Sequence, residues 1–172
     1  MNNLLKRLFD FLLSLFGLIT SGLIIFVAWI IASIETKSNG FFIQKRVGKN
    51  GKLFNLYKIK TMKKVEGIDT TITTINDVRI TKSGKFFRYA KIDELPQLWN
   101  VLKGEMSFVG PRPALFNQDD LIALRLEKGL DKLLPGLTGW AQVNGRDELS
   151  ISDKVALEVE YMQNKSFWFD LK

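Results

Sequence analysis

Two adjacent carboxylates, Asp93 and Glu94, are the first candidates for chemistry in this chain, because they precede Leu95 and Pro96 at the predicted start of a helix. Proline fits the first turn of a helix, and the free N–H groups and dipole of that end favour anions. A carboxylate held there stays ionised at neutral pH, which suits a nucleophile or a metal ligand better than a general acid. Acidic residues at helix starts are also ordinary caps, so the pair alone leaves both interpretations open.

Cationic side chains and turn-forming residues surround this carboxylate pair along the chain. Arg88 lies upstream, Arg112 lies between two prolines, and Arg146 follows a glycine. Arginine forks carried on glycine- and proline-shaped loops are suited to hold a diphosphate. Each arginine taken singly is also consistent with a solvated surface side chain. The sequence carries neither a P-loop nor a Gly-x-Gly-x-x-Gly signature, so these two nucleotide-binding motifs are excluded.

Composition narrows the available chemistry further. The 172 residues include no cysteine and no histidine, which excludes disulfides, thiolate metal sites, cysteine nucleophiles and histidine bases. Hydrophobic residues make up 46% of the chain and charged residues 25%, a balance typical of one folded domain. The net charge of +7 favours an anionic partner such as phosphate, nucleic acid or an acidic membrane surface.

A long uncharged stretch from Phe11 to Ile34 predicts a membrane helix. Its roughly 24 residues would measure ~36 Å as a helix, against ~30 Å for the hydrocarbon core of a bilayer. No small-residue cleavage site follows, so we expect this segment to be retained rather than removed as a signal peptide. Basic residues flank it on both sides, and the positive-inside rule assigns such flanks to the cytoplasm. Thr20-Ser21-Gly22 near its midpoint favours a bend and re-entry, although small residues also occur in simple spans.

The rest of the chain is predicted to be α+β and mainly helical. Apolar-aromatic stretches on both sides of an Asn-Gly turn predict a β-hairpin over 41–47 and 53–59. The polar stretch 63–81 predicts a long loop. Helical patterns predict three further helices, over 95–102, 118–134 and 152–163. The aromatic tail 167–169 fits either a membrane interface or the core.

Four motifs along the chain resemble those of one known family. They occur in the order found in bacterial sugar transferases and cover 6–10, 57–62, 93–113 and 135–146. The chain therefore resembles a small monotopic phosphoglycosyl transferase over nearly its whole length, and 93–113 is the most specific run. In this family the membrane helix usually breaks at a Ser-Pro pair, where this chain has Ser21-Gly22, and members commonly continue with another helical segment beyond the position of Lys172.

The resemblance implies an enzyme that moves a sugar 1-phosphate from a UDP-sugar to polyprenol (undecaprenyl) phosphate and releases UMP in bacterial surface-glycan assembly. It assigns Asp93 as the nucleophile that forms a phosphosugar-aspartyl intermediate. It also assigns Glu94, together with Asp93, as a ligand of Mg²⁺. The residues expected to bind the substrates are Lys58, Lys60, Arg88, Arg112, Gln142 and Arg146.

The expected architecture is an N-terminal membrane helix, residues 1–35, re-entrant or spanning, followed by a small catalytic domain, residues 36–172, with the hairpin. We expect it at the bacterial inner membrane, in contact with its lipids, with the active site facing the cytoplasm. Two non-enzymatic alternatives remain. A membrane-tethered nucleic-acid binder fits the charge but not the interspersed acidic residues, so nucleic acid is not an expected partner. A membrane scaffold does not account for the clustered carboxylates, prolines and arginines.

Overall fold

The structure is a computed structural model that describes residues 3–65, 77–145 and 148–172. Its helices are α1 (Asn3–Thr36), α2 (Lys82–Tyr89), α3 (Gln97–Lys103), α4 (Asp119–Glu127), α5 (Trp140–Val143), α6 (Ile151–Asn164) and α7 (Phe167–Leu171). Its strands are β1 (Phe41–Val47), β2 (Leu53–Ile59), β3 (Ser107–Val109) and β4 (Gly136–Thr138). The predicted class, α+β and mainly helical with a hairpin and a long apolar N-terminal helix, is confirmed.

Helix α1 is long and apolar enough to cross a membrane. Its most apolar window has a mean hydropathy of 2.5, and only 11% of that window is buried against the rest of the protein. The hydroxyls of Thr20 and Ser21 donate to the carbonyl oxygens of Phe16 and Gly17, over 3.0 and 2.6 Å. Such bonds to the preceding turn are compatible with a continuous helix. The helix is therefore continuous over Thr20, Ser21 and Gly22, where the sequence predicts a bend.

The β-hairpin is confirmed, with the bounds that the sequence predicts. Backbone hydrogen bonds close it at both ends: Lys60 N donates to Gly40 O over 2.6 Å, and Gly48 N donates to Lys52 O over 2.8 Å. Asn50 and Gly51 both have positive φ, 56° and 71°. These left-handed conformations are the reason for an Asn-Gly pair at this turn, since other side chains are strained there.

Two helices begin or end at residues other than those predicted from the sequence. Helix α3 begins at Gln97 rather than at residue 95, because the chain before it winds as a tighter 3₁₀ turn. The single helix predicted over 118–134 is wrong. Helix α4 ends at Glu127, since Gly129 adopts a left-handed φ of 70°, and Leu130–Lys132 form a separate 3₁₀ turn. The predicted helix over 152–163 corresponds to α6.

The long loop predicted over 63–81 lies partly outside the described residues, which exclude 66–76. Its described ends approach each other: Met62 and Ile80 form an antiparallel bridge, and Lys63 N donates to Arg79 O over 2.9 Å. Helix α2 follows directly and was not predicted. Its start is capped by the hydroxyl of Thr81, which accepts a hydrogen bond from Gly84 N over 3.0 Å.

Contacts divide the described chain into two compact units. The first contains the described residues within Met1–Leu15, Lys45–Leu56 and Asn100–Lys172. The second contains those within Phe16–Gln44 and Tyr57–Trp99. The division into a membrane segment over 1–35 and a catalytic domain over 36–172 stays a prediction.

Each unit has its own buried apolar residues. In the second unit, Ala28 and Ala32 of α1 pack with Ile59 of β2 and Phe87 of α2, so the small residues of α1 allow the hairpin and α2 to approach it. The first unit has two clusters, formed by Phe54, Leu56, Val101 and Met106 and by Ala114, Leu121, Leu130 and Val155.

The aromatic tail, residues 167–169, was expected either at a membrane interface or in the core, and its residues differ in burial. The ring of Phe169 packs 5.0 Å from the ring of Trp140 and 6.0 Å from that of Tyr161, measured between centroids. The neighbouring Trp168 is 79% exposed. Phe169 therefore contributes to the packing of the fold, whereas Trp168 faces outward.

Candidate active site

The second unit presents the carboxylate pair on a 3₁₀ turn, Ile92–Glu94. Lys91 starts this turn in a left-handed conformation, with φ of 58°, and Ile92 packs against the buried cluster of the unit. Successive backbone bonds of 3.2 Å, from Glu94 N to Lys91 O and from Leu95 N to Ile92 O, wind the chain tightly. This turn buries the side chain of Asp93 and leaves that of Glu94 half-buried.

Asp93 is a desolvated carboxylate among cations. It is only 9% exposed, and its Oδ1 has no hydrogen-bond partner in the described structure. Burial raises the pKa of Asp93 above its ordinary value, Lys58, Arg88 and Lys91 lower it, and Glu94 raises it. Desolvation, rather than the helix end on which the sequence argument relied, therefore dominates the pKa of this group.

Glu94 is paired with Lys58 of β2. The Nζ of Lys58 lies 2.9 Å from Oε1 of Glu94, and the two side chains are 18% and 23% exposed. Lys58 precedes Ile59, which is buried in the core of the unit, so the backbone from which this side chain extends is anchored. Lys58 thereby interacts with both carboxylates, through a hydrogen bond to Glu94 and through its charge on Asp93.

Arg88 of α2 is oriented by a residue that the sequence reasoning did not assign. Its Nε donates to Oγ1 of Thr61 over 2.8 Å, and Thr61 is only 6% exposed. Thr61 belongs to the 57–62 motif, so the sequence could have marked it as a site residue. Its bond to Arg88 could not be predicted, because the two residues are distant in sequence. The structure thus brings together four predicted site residues: Asp93, Glu94, Lys58 and Arg88.

Lys60 was predicted to bind substrate, and the structure gives it a different neighbour. Its Nζ donates to Oγ of Ser38 over 2.8 Å, close to the C-terminal end of α1. Within the described residues, the hydrogen bonds of Lys60 do not link it to Asp93 or Glu94. Its predicted role in substrate binding stays a prediction.

The loop that carries Arg112 follows β3, helix α5 that carries Gln142 follows β4, and both belong to the first unit. Strands β3 and β4 pair in parallel, and Gly110 N donates to Thr138 O over 2.9 Å. A Cβ on Gly136 would lie 2.2 Å from Gly110 N, and one on Gly139 would lie 2.1 Å from Gly110 O. Only glycine permits such backbone contact, which explains the glycines of both loops.

Positive charge is concentrated on the loop of Arg112. Nη1 of Arg46 donates to the carbonyl oxygen of Pro113 over 3.0 Å, which fixes the loop next to Arg112. Burial and, to a smaller extent, the nearby charge of Arg112 lower the pKa of Arg46 to about 10. Two guanidinium groups in one another's field favour an anion at this place.

Gln142 and Arg146 are the remaining predicted substrate ligands. Nε2 of Gln142 donates to Leu137 O over 3.0 Å, and its Oε1 is buried without a hydrogen-bond partner in the described structure. Gln142 therefore retains an unused acceptor in the first unit. Arg146 lies outside the described residues.

The carboxylate pair is compatible with Mg²⁺. The described residues contain no group of three or more acidic side chains that would form a protein cage for a metal. Magnesium is commonly held by one or two carboxylates together with substrate phosphates and water. The adjacent carboxylates of Asp93 and Glu94 supply two such ligands. The cofactor stays a prediction.

Comparisons with known proteins agree with this chemistry. The profile described as "Bacterial sugar transferase" matches residues 1–172. The "Uncharacterized sugar transferase EpsL" of Bacillus subtilis (strain 168) is 44% identical over 98% of this chain and 83% of that protein. The UDP-glucose:undecaprenyl-phosphate glucose-1-phosphate transferases of Klebsiella pneumoniae and Escherichia coli (strain K12) are 39% and 37% identical over 99% of this chain. The chain spans only 38% and 39% of those two proteins.

Proposed function

The chain belongs to the bacterial sugar transferase family, and we propose that it transfers a sugar 1-phosphate from a UDP-sugar to undecaprenyl phosphate in surface-glycan assembly. The observation that carries this proposal is the buried carboxylate of Asp93, with an unpartnered oxygen, in the field of Lys58, Arg88 and Lys91. Relatives named as UDP-glucose:undecaprenyl-phosphate glucose-1-phosphate transferases support both substrate classes.

Asp93 is the nucleophile in this proposal. A carboxylate oxygen attacks the phosphorus attached to the sugar, the bond from that phosphorus to the bridging diphosphate oxygen breaks, and UMP leaves with the electron pair. An oxygen of the lipid phosphate then attacks the same phosphorus, forms the new diphosphate bond and releases the Asp93 carboxylate. Splitting the transfer into two displacements is the usual benefit of covalent catalysis. The unpartnered oxygen supports this role because no hydrogen bond must be broken before attack.

The cations have two tasks in this mechanism. Lys58, Arg88 and Lys91 favour the ionised form of Asp93 against the effect of burial, which keeps the nucleophile available. Arg88 is proposed to bind substrate phosphates, and the same role is proposed for Arg112 and Arg146. Mg²⁺ held by Glu94 and Asp93 would supply neutralising charge to the diphosphate.

We also propose that α1 is re-entrant, so that both of its ends and the active site face the cytoplasm at the inner membrane. Its N-terminal end is bound by residues that follow the membrane segment. Lys6 pairs with Asp170, and the two Nη groups of Arg7 donate to the carbonyl oxygens of Val101 and Leu102, each over 2.6 Å. These contacts support a position of the N-terminal end on the same side of the membrane as these residues.

The C-terminal end of α1 is bound in the same manner. The backbone N and the hydroxyl of Ser83 both donate to the carboxylate of Glu35. Helix α1 is also the only candidate membrane span within the described residues. A simple span would place the two ends of α1 on opposite sides of the membrane, so contacts of both ends with the chain after residue 36 support re-entry.

Impermeant thiol labelling tests the topology, because the chain has no native cysteine. Single cysteines at Asn3 and at Lys172 should both be protected in intact cells and both react after permeabilisation. Labelling at Asn3 but not at Lys172 in intact cells would mean a true span and would overturn re-entry, while leaving the chemistry of Asp93 unaffected.

Turnover tests the reaction itself. Purified protein, incubated with magnesium, polyprenol phosphate and a panel of UDP-sugars, should release UMP with at least one sugar, and a polyprenyl-diphosphate sugar should form in equal amount. The preferred sugar would identify the donor. Absence of both products across the panel would overturn the proposed function.

A further inference from the structure

The hydrogen bond between Arg88 and Thr61 determines which edge of the Arg88 guanidinium group can bind an anion. Arg88 lies in the last turn of α2, and its Nε donates to Oγ1 of Thr61 over 2.8 Å. A guanidinium group offers two edges for bidentate binding, one formed by Nε with one Nη and one formed by both Nη groups. The bond to Thr61 occupies Nε, so the edge formed by both Nη groups is the one that remains.

No hydrogen bond from Nη1 or Nη2 of Arg88 reaches another residue within the described ranges. The guanidinium group is therefore held at one nitrogen and open at the other two. Backbone bonds from Lys91 N to Arg88 O and from Glu94 N to Lys91 O, over 3.3 and 3.2 Å, connect this turn of α2 to the carboxylate pair.

Thr61 is itself firmly held. Its carbonyl oxygen accepts a hydrogen bond from Thr81 N over 3.0 Å, and the next residue, Met62, bridges to Ile80. A Cβ on Gly84 would lie 2.4 Å from that carbonyl oxygen, so the absence of a side chain lets α2 pack directly on residue 61. The hydroxyl of Thr61 thus has a fixed position relative to the helix that carries Arg88.

We propose that Thr61 is a positioning residue whose hydroxyl orients Arg88 so that both Nη groups bind non-bridging oxygens of the sugar-nucleotide diphosphate next to Asp93. This inference rests on the proposed function. It assigns to the buried threonine of the 57–62 motif a role in phosphate recognition, exerted through the arginine rather than by contact with the substrate.

A double-mutant cycle tests this coupling. Thr61→Val removes the hydroxyl and keeps the shape of the side chain, and we expect kcat/KM for the UDP-sugar and affinity for UDP each to fall about 10-fold. Thr61→Ser should restore most of the loss. Lysine has no Nε, so Thr61→Val should have no further effect when introduced into Arg88→Lys. Thr20→Val is the matched control, since that hydroxyl bonds only to carbonyl oxygens within α1, and it should retain full activity.

The outcomes separate this inference from the proposed function. Wild-type values for Thr61→Val, or the same loss in the Arg88→Lys background, would overturn the positioning role. Thermal unfolding of every variant identifies loss of fold, and if Thr61→Val unfolds, Thr61→Ala takes its place in the cycle. A wild-type protein that releases no UMP overturns the proposed function instead, and the cycle is then decided by UDP binding alone, which must show the same pattern.

Discussion

Asp10 and Asp93 are both buried, and each has one carboxylate oxygen without a hydrogen-bond partner in the described structure. Their surroundings differ. Asp10 of α1 is 1% exposed in the first unit, and its Oδ1 accepts a hydrogen bond from the backbone N–H of Phe108 over 3.2 Å. Asp93 lies in the second unit in the field of Lys58, Arg88 and Lys91. The two carboxylates are therefore alike in burial, and the field of Lys58, Arg88 and Lys91 is what sets the proposed nucleophile, Asp93, apart.

The neighbours of Asp10 explain its structural character. Lys6, one turn earlier in α1, pairs with Asp170, and Arg7 donates to the last carbonyl groups of α3. The charges near Asp10 are thus committed to attaching the N-terminal end of α1 to the chain that follows it. The cations near Asp93 include Arg88, whose two Nη groups make no hydrogen bond within the described residues.

The largest effect should come from Asp93→Asn, which we expect to reduce UMP release by at least about 1000-fold, because an amide is a poor nucleophile. Folding should survive, since the neutral amide avoids the desolvation of a carboxylate. UMP release and thermal unfolding measure the two properties. Substantial turnover by folded Asp93→Asn would show that Asp93 is not the nucleophile and would remove the proposed difference in function between Asp93 and Asp10.

Glu94→Gln should follow, with a loss of at least about 10-fold and a higher magnesium requirement, because the substitution removes the charge of a proposed metal ligand. Magnesium titrations of UMP release measure this requirement. An unchanged magnesium dependence together with reduced activity would assign Glu94 to holding Lys58 rather than to binding metal.

Arg112→Lys should cost about 1 to 3 kcal/mol in transition-state stabilisation, because lysine keeps the charge but loses the planar fork. Steady-state kinetics with varied UDP-sugar gives kcat/KM for both proteins. A value equal to that of the wild type would mean that charge alone matters at this position, or that Arg112 is structural.

Asp10→Ala should lower the free energy of unfolding by about 1 to 3 kcal/mol, since the N–H of Phe108 would lose its acceptor. The activity of the folded protein should be retained. Denaturant unfolding in detergent measures the first effect, and UMP release per folded molecule measures the second. Normal stability combined with lost turnover would reverse the assignment of Asp10.

The smallest effect is a shift in pH dependence. Lys58 lowers the pKa of Asp93, so Lys58→Met should raise that pKa and move the acidic limb of the kcat/KM profile to higher pH, by about one unit or less. Lys128→Met is the control, because Lys128 pairs with Glu127 on the exposed face of α4 and should not shift the limb. If the acidic limb of Lys58→Met shifts to lower pH instead, Lys58 does not lower the pKa of Asp93.

Local patterns sufficed for much of this fold and site. The Asn50-Gly51 turn and the apolar content of α1 are properties of neighbouring residues, and both were predicted. Helix α2 was not predicted, because its position depends on Gly84 packing against the carbonyl of Thr61. The partner of Arg88 depends on the same long-range contact. Lys6 and Arg7 were used as topology signals and as part of the 6–10 motif, and their contacts could not be predicted because their partners lie more than ninety residues away.

Intact-protein and peptide mass spectrometry tests the role of Asp93 most directly. Wild-type protein incubated with magnesium and the preferred UDP-sugar, without polyprenol phosphate, should gain the mass of one sugar phosphate. Fragmentation should locate this mass on Asp93, and addition of polyprenol phosphate should remove it. The Asp93→Asn variant should show no adduct. Turnover with no adduct at any time, or an adduct located on another residue, would contradict the assignment of Asp93 as the nucleophile.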